Sequence, residues 1–266
     1  MKRIIITAAV LAATFVYGAN AGEVLDRIKA NGELVAASDT GTPPANFLDE
    51  NNELAGFDID VTKEVAKRLG VTARFVTPSW DVITAGHWGT RWDIAISSMS
   101  PTSERAKVLD FPVIYYSIPT VLVVNKDNTT IAKPEDASGK KVGVQGGSSY
   151  EKYLDGSLSI EGVKSIDFKI KDASAVGYDT EGLSLDDLRL GDGTRLDAAI
   201  VLGFTAQTAI DKGYPIKRVG EPLYVEPQAI ALDKGDAELN QEIKKIVDAM
   251  RADGTLKQLS EMSTAE

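Results

Sequence analysis

The 266-residue sequence contains no cysteine and only one histidine, His87. The absence of cysteine excludes disulfides, thiolate metal sites, a cysteine nucleophile and a lipid-modified N-terminal cysteine. A single histidine argues against a histidine-based metal site and against a Ser-His-Asp triad. We therefore expect no metal and no cofactor, and a mature chain that is free in its compartment.

Basic residues are also scarce, because 29 Lys and Arg stand against 39 Asp and Glu, a net charge of −10. Proteins that bind nucleic acid or anionic membranes need clustered basic residues, so neither partner is expected. An anionic small molecule is still possible, because a local pocket can be positive on an acidic protein. The length allows one large domain or two of roughly 100–150 residues.

Long apolar runs are missing except at the N-terminus, where residues 4–16 follow Lys2 and Arg3. This run is shorter than the ~20 residues that a membrane-spanning helix needs. The small residues of 19–21 are typical of a signal-peptidase site. We predict a signal peptide over residues 1–21, cleaved after Ala21, with an uncleaved anchor as the alternative. The mature chain would carry −12 (−10 minus 2) and would suit a bacterial periplasm.

Helical and strand-like apolar patterns alternate along the rest of the chain, which predicts parallel sheets with crossover helices. The first set comprises strands at 34–38, 71–76 and 92–97 and helices at 23–30, 58–69 and 83–89. The second set comprises strands at 141–144, 166–170 and 196–202 and helices from 148, at 183–190 and at 205–212, before a last helix at 237–250. Two such sets of about one hundred residues each predict two similar lobes.

A hydroxyl-rich segment, residues 97–100, ends the strand predicted at 92–97 and lies five residues before Arg105. The carboxyl end of a strand is where ligands bind in α/β sheets. A guanidinium matches a carboxylate with two parallel hydrogen bonds. The pattern is compatible with a carboxylate site or with a solvated serine loop beside a surface arginine.

A second candidate feature is the turn of Gly146 and Gly147, followed by Ser148 at a helix start. A helix N-terminus attracts anions, and glycines permit close approach of the backbone. The segment lacks the Lys-Ser/Thr of a nucleotide-binding loop, and Ser148 could simply cap the helix. Trp80 follows a strand and could present a flat face to a ligand, although an isolated tryptophan is more often part of the core; Trp88 and Trp92 are assigned to packing.

Several further motifs follow one another in order along the chain, at 56–60, 79–81, 92–95, 97–112, 142–149, 195–199 and 252–255. The ordered set resembles the periplasmic polar amino-acid-binding proteins, solute-binding family 3 of ABC importers. The resemblance covers nearly all of the predicted mature chain. It implies an α/β fold of the periplasmic binding protein type II kind, with two doubly wound lobes joined by a two-strand hinge.

The resemblance also implies how the chain is divided and what it does. Lobe 1 would comprise residues 22–117 and 225–266, and lobe 2 residues 118–224. A monomer without catalytic activity would close these lobes around an amino acid or a related small carboxylate. The closed form would then dock on an ABC permease in the inner membrane.

The resemblance assigns roles to five side chains. Arg105 would clamp the ligand carboxylate, Ser98, Ser100 and Ser148 would complete that clamp, and Trp80 would pack against the ligand.

One departure from the family pattern concerns the ligand ammonium group. The family usually has an aspartate at the position of Leu202, and a buried ammonium without a counter-charge is costly. Either another acid replaces it or the ligand is not a standard α-amino acid. Asp39 from lobe 1 and Asp179 from lobe 2 are the candidates, and Tyr178 or Glu181 are further possibilities in the unusual segment 176–192.

Two competing functions use the same scaffold. The chain is also similar to cyclohexadienyl dehydratases, whose chemistry needs a cleft acid with a raised pKa, for which Glu181 or Glu226 could be proposed. The other competitor is the extracellular sensor module of a receptor, which the absence of a second membrane segment and of a kinase domain disfavours.

Overall fold

A computed structural model describes residues 22–263 as an α/β protein. The predicted signal peptide and its cleavage site lie outside the described residues, so that prediction stays open. Within residues 22–263, no helix combines the length and the apolar character needed to cross a membrane.

The described residues form eleven strands and eight helices, with short 3₁₀ turns at Arg105–Lys107 and Pro134–Ala137. The strands are β1 (Glu33–Ala37), β2 (Gly41–Thr42), β3 (Asn46–Leu48), β4 (Leu54–Ala55), β5 (Thr72–Val76), β6 (Ile94–Met99), β7 (Leu109–Asn125), β8 (Lys141–Gln145), β9 (Ser174–Tyr178), β10 (Ala198–Leu202) and β11 (Ile216–Asp233). The helices are α1 (Glu23–Asn31), α2 (Phe57–Leu69), α3 (Trp80–Thr84), α4 (Ser149–Leu154), α5 (Glu181–Leu188), α6 (Gly203–Asp211), α7 (Ala237–Ala252) and α8 (Thr255–Ser263).

Two long antiparallel strands, β7 and β11, join the halves of one eight-stranded sheet. The order of strands across it is β5-β1-β6-β11-β7-β10-β8-β9. On one side of the long pair, β1 runs parallel to β5 and β6; on the other, β8 runs parallel to β9 and β10. This mixed sheet confirms the predicted type of fold, with two α/β lobes and two connecting strands.

The buried apolar side chains of the described residues form four clusters, and each cluster belongs to one lobe only. Two clusters draw only on residues 24–116 and 230–259, and the other two only on residues 118–224. Each lobe therefore has its own core. The residue boundaries that the sequence predicts for the lobes stay a prediction.

Helices α2 and α7 show why the apolar periodicity predicts local structure well. Val61 and Val65 of α2 are fully buried, and the helix ends where Gly70 adopts a φ of 79°. The α7 residues Leu239, Ile243, Val247 and Met250 are likewise buried, and Asp236 caps the helix by accepting a hydrogen bond from the Leu239 N–H. A 3.6-residue apolar stripe with a terminating glycine or a capping aspartate is a strong local signal.

Two predicted elements differ from the structure. The helix predicted at 83–89 lies at Trp80–Thr84, and the strand predicted at 166–170 is wrong, because the edge strand beside β8 is Ser174–Tyr178. Residues 166, 168 and 170 pack on the lobe 2 core without joining the sheet. The Tyr153 hydroxyl bonds the Asp167 carbonyl and the Lys169 N–H, both at 3.0 Å, which satisfies backbone groups that a sheet would otherwise pair.

Candidate functional site

The carboxyl ends of the parallel strands β1 and β6 in one lobe, and of the parallel strands β8 and β10 in the other, surround one cleft between the lobes. The cleft encloses about 320 Å³ of space between atoms, including its opening to solvent. Pockets of roughly 300–1,000 Å³ are typical of small-molecule sites. Its lining residues are Asp39, Thr42, Trp80, Ser97, Ser98, Ser100, Arg105, Gln145, Ser148, Ser149, Tyr150, Glu181, Leu202 and Glu226.

Arg105 is buried in this cleft with only 7% of its surface exposed. Its Nη1 donates to the Ser100 carbonyl at 3.0 Å, and its Nη2 donates to the Gly147 carbonyl of the other lobe at 3.1 Å. Burial lowers the pKa of Arg105, and the negative charge of Glu226 opposes that shift. Among residues 22–263, no carboxylate oxygen lies within 4.0 Å of this guanidinium. Since guanidinium has five N–H donors, it retains hydrogen-bonding capacity for an anion.

Trp80, the first residue of α3, positions the guanidinium. The Arg105 Cζ lies 5.1 Å from the centre of the indole ring, and the indole N–H donates to the same Gly147 carbonyl at 3.3 Å. Arginine stacks on aromatic faces through cation–π attraction. Trp80 lines the cleft and also belongs to the lobe 1 core cluster that contains Trp88 and Trp92. The Trp88 and Trp92 rings contact one another, with their centres 5.6 Å apart, and line no part of the cleft.

The three predicted serines differ in what their hydroxyls do. Ser98 donates to Asp58 at 2.7 Å, and Ser100 donates to the Pro227 carbonyl at 3.1 Å, so both can only accept from a ligand. The Ser148 hydroxyl is buried at the start of α4 and has no partner among the described residues. A buried polar group without a partner is rare in folded proteins. The Ser148 hydroxyl is therefore free to donate to a ligand.

Glu181, in the first turn of α5, places a fully buried carboxylate beside Leu202. Its Oε2 accepts the Leu202 backbone N–H at 3.2 Å, and its Oε1 accepts a short hydrogen bond from the Tyr150 hydroxyl. Burial raises the pKa of Glu181 to about 7, while these hydrogen bonds oppose the shift. The carboxylate therefore lies next to the residue at which the family resemblance would put an aspartate.

Two further acids are buried around the cleft. Glu226, on β11, accepts hydrogen bonds from Ser149 and from Thr120, the latter at 3.0 Å. Asp39 accepts the Gln145 side-chain amide of the opposite lobe at 2.7 Å. Burial raises the pKa of both carboxyls. Three carboxyl groups thus face a cleft in which Arg105 is the only basic side chain among the lining residues.

Asp179 is not brought to the cleft, which corrects its selection as a candidate. The residue is exposed, and its backbone carbonyl, rather than its side chain, accepts the second hydrogen bond from the Gln145 amide, at 3.1 Å. The strand β9 ends at Tyr178, so Asp179 precedes the helix that carries Glu181 inward. The other six predicted residues all line one cavity.

The two lobes contact one another around this cavity. The hydrogen bonds of Arg105 and Gln145 already join the lobes. In addition, the Ser103 N–H donates to the Ser159 carbonyl at 2.9 Å, and the Glu161 N–H donates to the Pro101 carbonyl at 3.0 Å. Lys152 also lies 3.3 Å from Glu104. The structure is therefore a closed arrangement in which both lobes reach the candidate site.

Gln145, Ser149 and Tyr150 line the cleft although the sequence analysis did not select them. Gln145 is the last residue of β8, so its position at the carboxyl end of a parallel strand was an available signal. Ser149 and Tyr150 follow Ser148 in the first turn of α4, and only their packing against Glu226 and Glu181 identifies them.

Known proteins are similar to this chain over nearly all of the described residues. The model of the family described as bacterial extracellular solute-binding proteins, family 3, matches residues 23–263. The L-cystine-binding protein TcyJ of Escherichia coli K12 is 31% identical over 240 residues, which are 90% of this chain and 85% of that protein. The ABC transporter arginine-binding protein 1 of the same strain is 28% identical over 264 residues, or 98% of each chain.

Solved structures of amino-acid-binding proteins superpose on most of this chain. A mutant of the arginine-binding protein from T. maritima superposes with a TM-score of 0.79 at 30% identity, covering 91% of this chain and 100% of that one. An ancestral amino-acid-binding protein, described as a precursor of cyclohexadienyl dehydratase, gives a TM-score of 0.77 at 30% identity, covering 90% of this chain and 98% of that one.

Proposed function

Because the chain belongs to the bacterial extracellular solute-binding proteins of family 3, we propose that it captures an amino acid, or a related small carboxylate, for an ABC importer. The observation that carries the ligand assignment is the Arg105 guanidinium, buried between the lobes without a carboxylate partner among residues 22–263. A ligand carboxylate there would gain charge-assisted hydrogen bonds from both lobes and so favour the closed form.

The Ser148 hydroxyl is the second group proposed to hold the ligand carboxylate. It lines the same cavity as Arg105 and has no described partner. Its position at the start of α4 also adds the favourable field of a helix N-terminus. Ser98 and Ser100 are proposed to contribute as acceptors, and Trp80 as a packing surface.

Glu181 is proposed to receive the ligand ammonium group, because Leu202 occupies the position at which the family usually has an aspartate. Its buried carboxylate has no cation within 4.0 Å among the described residues, and an ammonium group would supply one. Asp39 remains a second candidate, because it lies on the opposite lobe with its charge balanced only by hydrogen bonds to neutral groups. This assignment makes a standard α-amino acid compatible with the departure from the family pattern.

The remaining parts of the proposal follow from the family and from the N-terminal sequence. We propose export through a signal peptide of residues 1–21, action in the periplasm as a monomer, and delivery to an inner-membrane permease. Lobe 1 would comprise residues 22–117 and 225–266, and lobe 2 residues 118–224. Catalysis is not part of this proposed role.

A ligand screen with matched arginine variants tests the proposal. The purified mature chain is tested by thermal shift and then by calorimetry against amino acids, L-cystine, opines, betaines and small organic acids. Replacing Arg105 by Ala should weaken binding of the best ligand by about 2–5 kcal/mol, the usual cost of removing one partner of a buried charged pair.

Arg189→Ala is the matched control. Arg189 lies over the Tyr214 ring at 4.6 Å, much as Arg105 lies over Trp80, but it is exposed and outside the cleft. It should leave affinity unchanged. Equal affinity of the wild type and Arg105→Ala for a confirmed ligand would remove Arg105 from the site.

An enzyme on the same scaffold is the second candidate. The observation in its favour is Glu181, a cleft acid with a pKa of about 7, suited to proton transfer near neutral pH. Incubation with prephenate or arogenate separates the two functions, because only a dehydratase would form an aromatic product. A rate lost in Glu181→Gln would assign that reaction to this chain.

A further inference from the structure

Asp58, in the first turn of α2, is a completely buried carboxylate that lines no part of the cleft. It accepts hydrogen bonds from the Tyr115 hydroxyl at 2.6 Å, from the Ser98 hydroxyl at 2.7 Å and from the Asn46 side-chain amide at 2.7 Å. No cation lies within 4.0 Å of it among residues 22–263. A buried charge held only by neutral donors is costly, so its retention calls for a role.

Ser98 is the partner of Asp58 that reaches the cleft, and its backbone is strained. Its φ is 48°, in the left-handed region that residues with a side chain rarely adopt. Such a conformation persists only when surrounding contacts hold it. The Ser98 N–H donates to the Tyr115 hydroxyl at 3.1 Å, and that hydroxyl donates to Asp58. Both polar donors of Ser98 therefore lead to the same carboxylate.

The turn at Ser98 sets the direction of the segment that carries the guanidinium. Two residues later, the Ser100 carbonyl accepts from Arg105 Nη1 at 3.0 Å. The Arg105 N–H then donates to the Thr102 hydroxyl at 3.2 Å. A change in the Ser98 backbone would rotate this segment and move the guanidinium relative to its ligand.

The same carboxylate also ties two other segments to this turn. Asn46 begins β3 and pairs with Thr42 of the cleft wall, and Tyr115 lies on the long connecting strand β7. The neighbouring Tyr116 hydroxyl contacts the Ser98 hydroxyl at 2.6 Å. Asp58 is thus the common acceptor for Asn46 of β3, Ser98 at the end of β6 and Tyr115 of the strand that joins the lobes.

We propose that Asp58 is a positioning residue of the ligand site, which acts by holding Ser98 in its left-handed conformation and so directs the Ser100–Arg105 segment into the cleft. This inference rests on the proposed ligand-binding function. Asp58 itself does not line the cleft.

The protonation state of Asp58 suits this role near neutral pH. Burial raises its pKa to about 6, opposed by the hydrogen bonds from Tyr115, Ser98 and Asn46. Above that pH the carboxylate is an acceptor for three donors. The titratable groups facing it are Tyr115 and Tyr116, and burial raises the pKa of both well above the usual value, so they remain neutral donors.

Asp58→Asn is the informative substitution, because it keeps the shape but replaces one acceptor oxygen by an NH₂ group. That group would face the Asn46 amide or the Ser98 hydroxyl, which both donate to Asp58 in the wild type. Val65→Ala is the matched control, since Val65 is a fully buried residue of the same helix, remote from the cleft. Both variants should lower the melting temperature.

The experiment measures Kd by calorimetry, well below the melting temperature of each variant, with the twenty standard L-amino acids and L-cystine as probes. We expect Asp58→Asn to weaken the tightest-binding probe at least tenfold, and Val65→Ala to change its Kd less than twofold. Ser98→Gly, alone and combined with Asp58→Asn, completes a double-mutant cycle that cancels the contribution of the Ser98 hydroxyl itself. The loss caused by Asp58→Asn should be several-fold smaller in the Ser98→Gly background, because glycine adopts positive φ without strain.

Two results would overturn the inference while leaving the proposed function intact. One is an unchanged Kd in Asp58→Asn, which would reduce Asp58 to a contributor to folding. The other is an equal loss from Asp58→Asn in the wild-type and Ser98→Gly backgrounds, which would exclude the route through Ser98. If the wild-type protein binds none of the probes, the proposed amino-acid function fails first, and this inference fails with it.

Discussion

The charge of Glu181 should make the ligand-free protein less stable as the pH rises, and Glu181→Gln should remove that effect. Burial raises the pKa of this carboxyl from 4.5 to about 7 in the folded protein. A carboxyl whose folded-state pKa is higher than its unfolded-state pKa binds its proton more tightly when the protein is folded. Its contribution to stability is complete below about pH 4.5 and is lost as the pH rises through about 7.

The size of the effect follows from the same two values. One pKa unit corresponds to about 1.4 kcal/mol, so the difference between 4.5 and about 7 is worth about 3 kcal/mol. Glutamine keeps an acceptor for the Leu202 N–H and adds no charge. The variant should therefore match the wild type near pH 4.5 and exceed its free energy of unfolding by up to about 3 kcal/mol at pH 8.5.

Urea unfolding of the ligand-free proteins at pH 4.5, 6 and 8.5 measures this difference. Glu221→Gln, which changes the same formal charge at an exposed position, is the control and should follow the wild type. The same Glu181→Gln variant should bind an amino acid at least tenfold more weakly, because it lacks the proposed ammonium partner. A variant less stable than the wild type at pH 8.5 would refute the reasoning, since it would mean that the ionised carboxylate stabilises the fold.

Two other substitutions test the closed arrangement and the cleft boundary. A Cβ at Gly41 would lie 2.2 Å from the Thr180 Cβ of the other lobe, so Gly41→Ala should weaken ligand binding at least tenfold with little change in the stability of the ligand-free protein. Thr180→Gly in the same chain should restore the affinity. An unchanged affinity of Gly41→Ala, measured by calorimetry, would show that the lobes close differently. Asp179→Asn should leave Kd within twofold, because the Asp179 side chain is exposed, and a tenfold loss would return that residue to the cleft.

The fold could be predicted where local patterns and tertiary packing agree. The stripe of α2 and the capped α7 have a helical period and buried faces, so their bounds are within two residues of the prediction. Residues 166–170 alternate with the period of a strand, but they pair with no strand. The Tyr153 hydroxyl instead donates to the Asp167 carbonyl and accepts from the Lys169 N–H. The spacing of apolar residues indicates which face of a segment is buried. It does not indicate which groups form hydrogen bonds with the backbone of that segment.

The candidate site was predictable where its residues are close in sequence. Ser98, Ser100 and Arg105 lie within eight residues, and the structure brings them to one cavity with Trp80 and Ser148. The acid beside Leu202 comes from a helix that begins 21 residues earlier, and spacing alone could not distinguish Glu181 from Asp179. Glu181 is buried because it lies on the same face of α5 as Leu185 and Leu188, which pack inward.

The charges of the cleft also give a physical reason for closure to depend on the ligand. Burial raises the pKa values of Asp39, Glu181 and Glu226. Among residues 22–263, Arg105 is the single basic side chain that lines the same cleft. Glu181 is enclosed by Tyr150 and Leu202 of its own lobe. Closing the lobes without a ligand brings Asp39 of lobe 1 to the same cleft without supplying a cation, which is unfavourable. An incoming ammonium group supplies that cation, while the ligand carboxylate satisfies the remaining donors of Arg105 and the Ser148 hydroxyl. The ligand thereby stabilises the closed form more than the open one, which is the condition for it to drive closure.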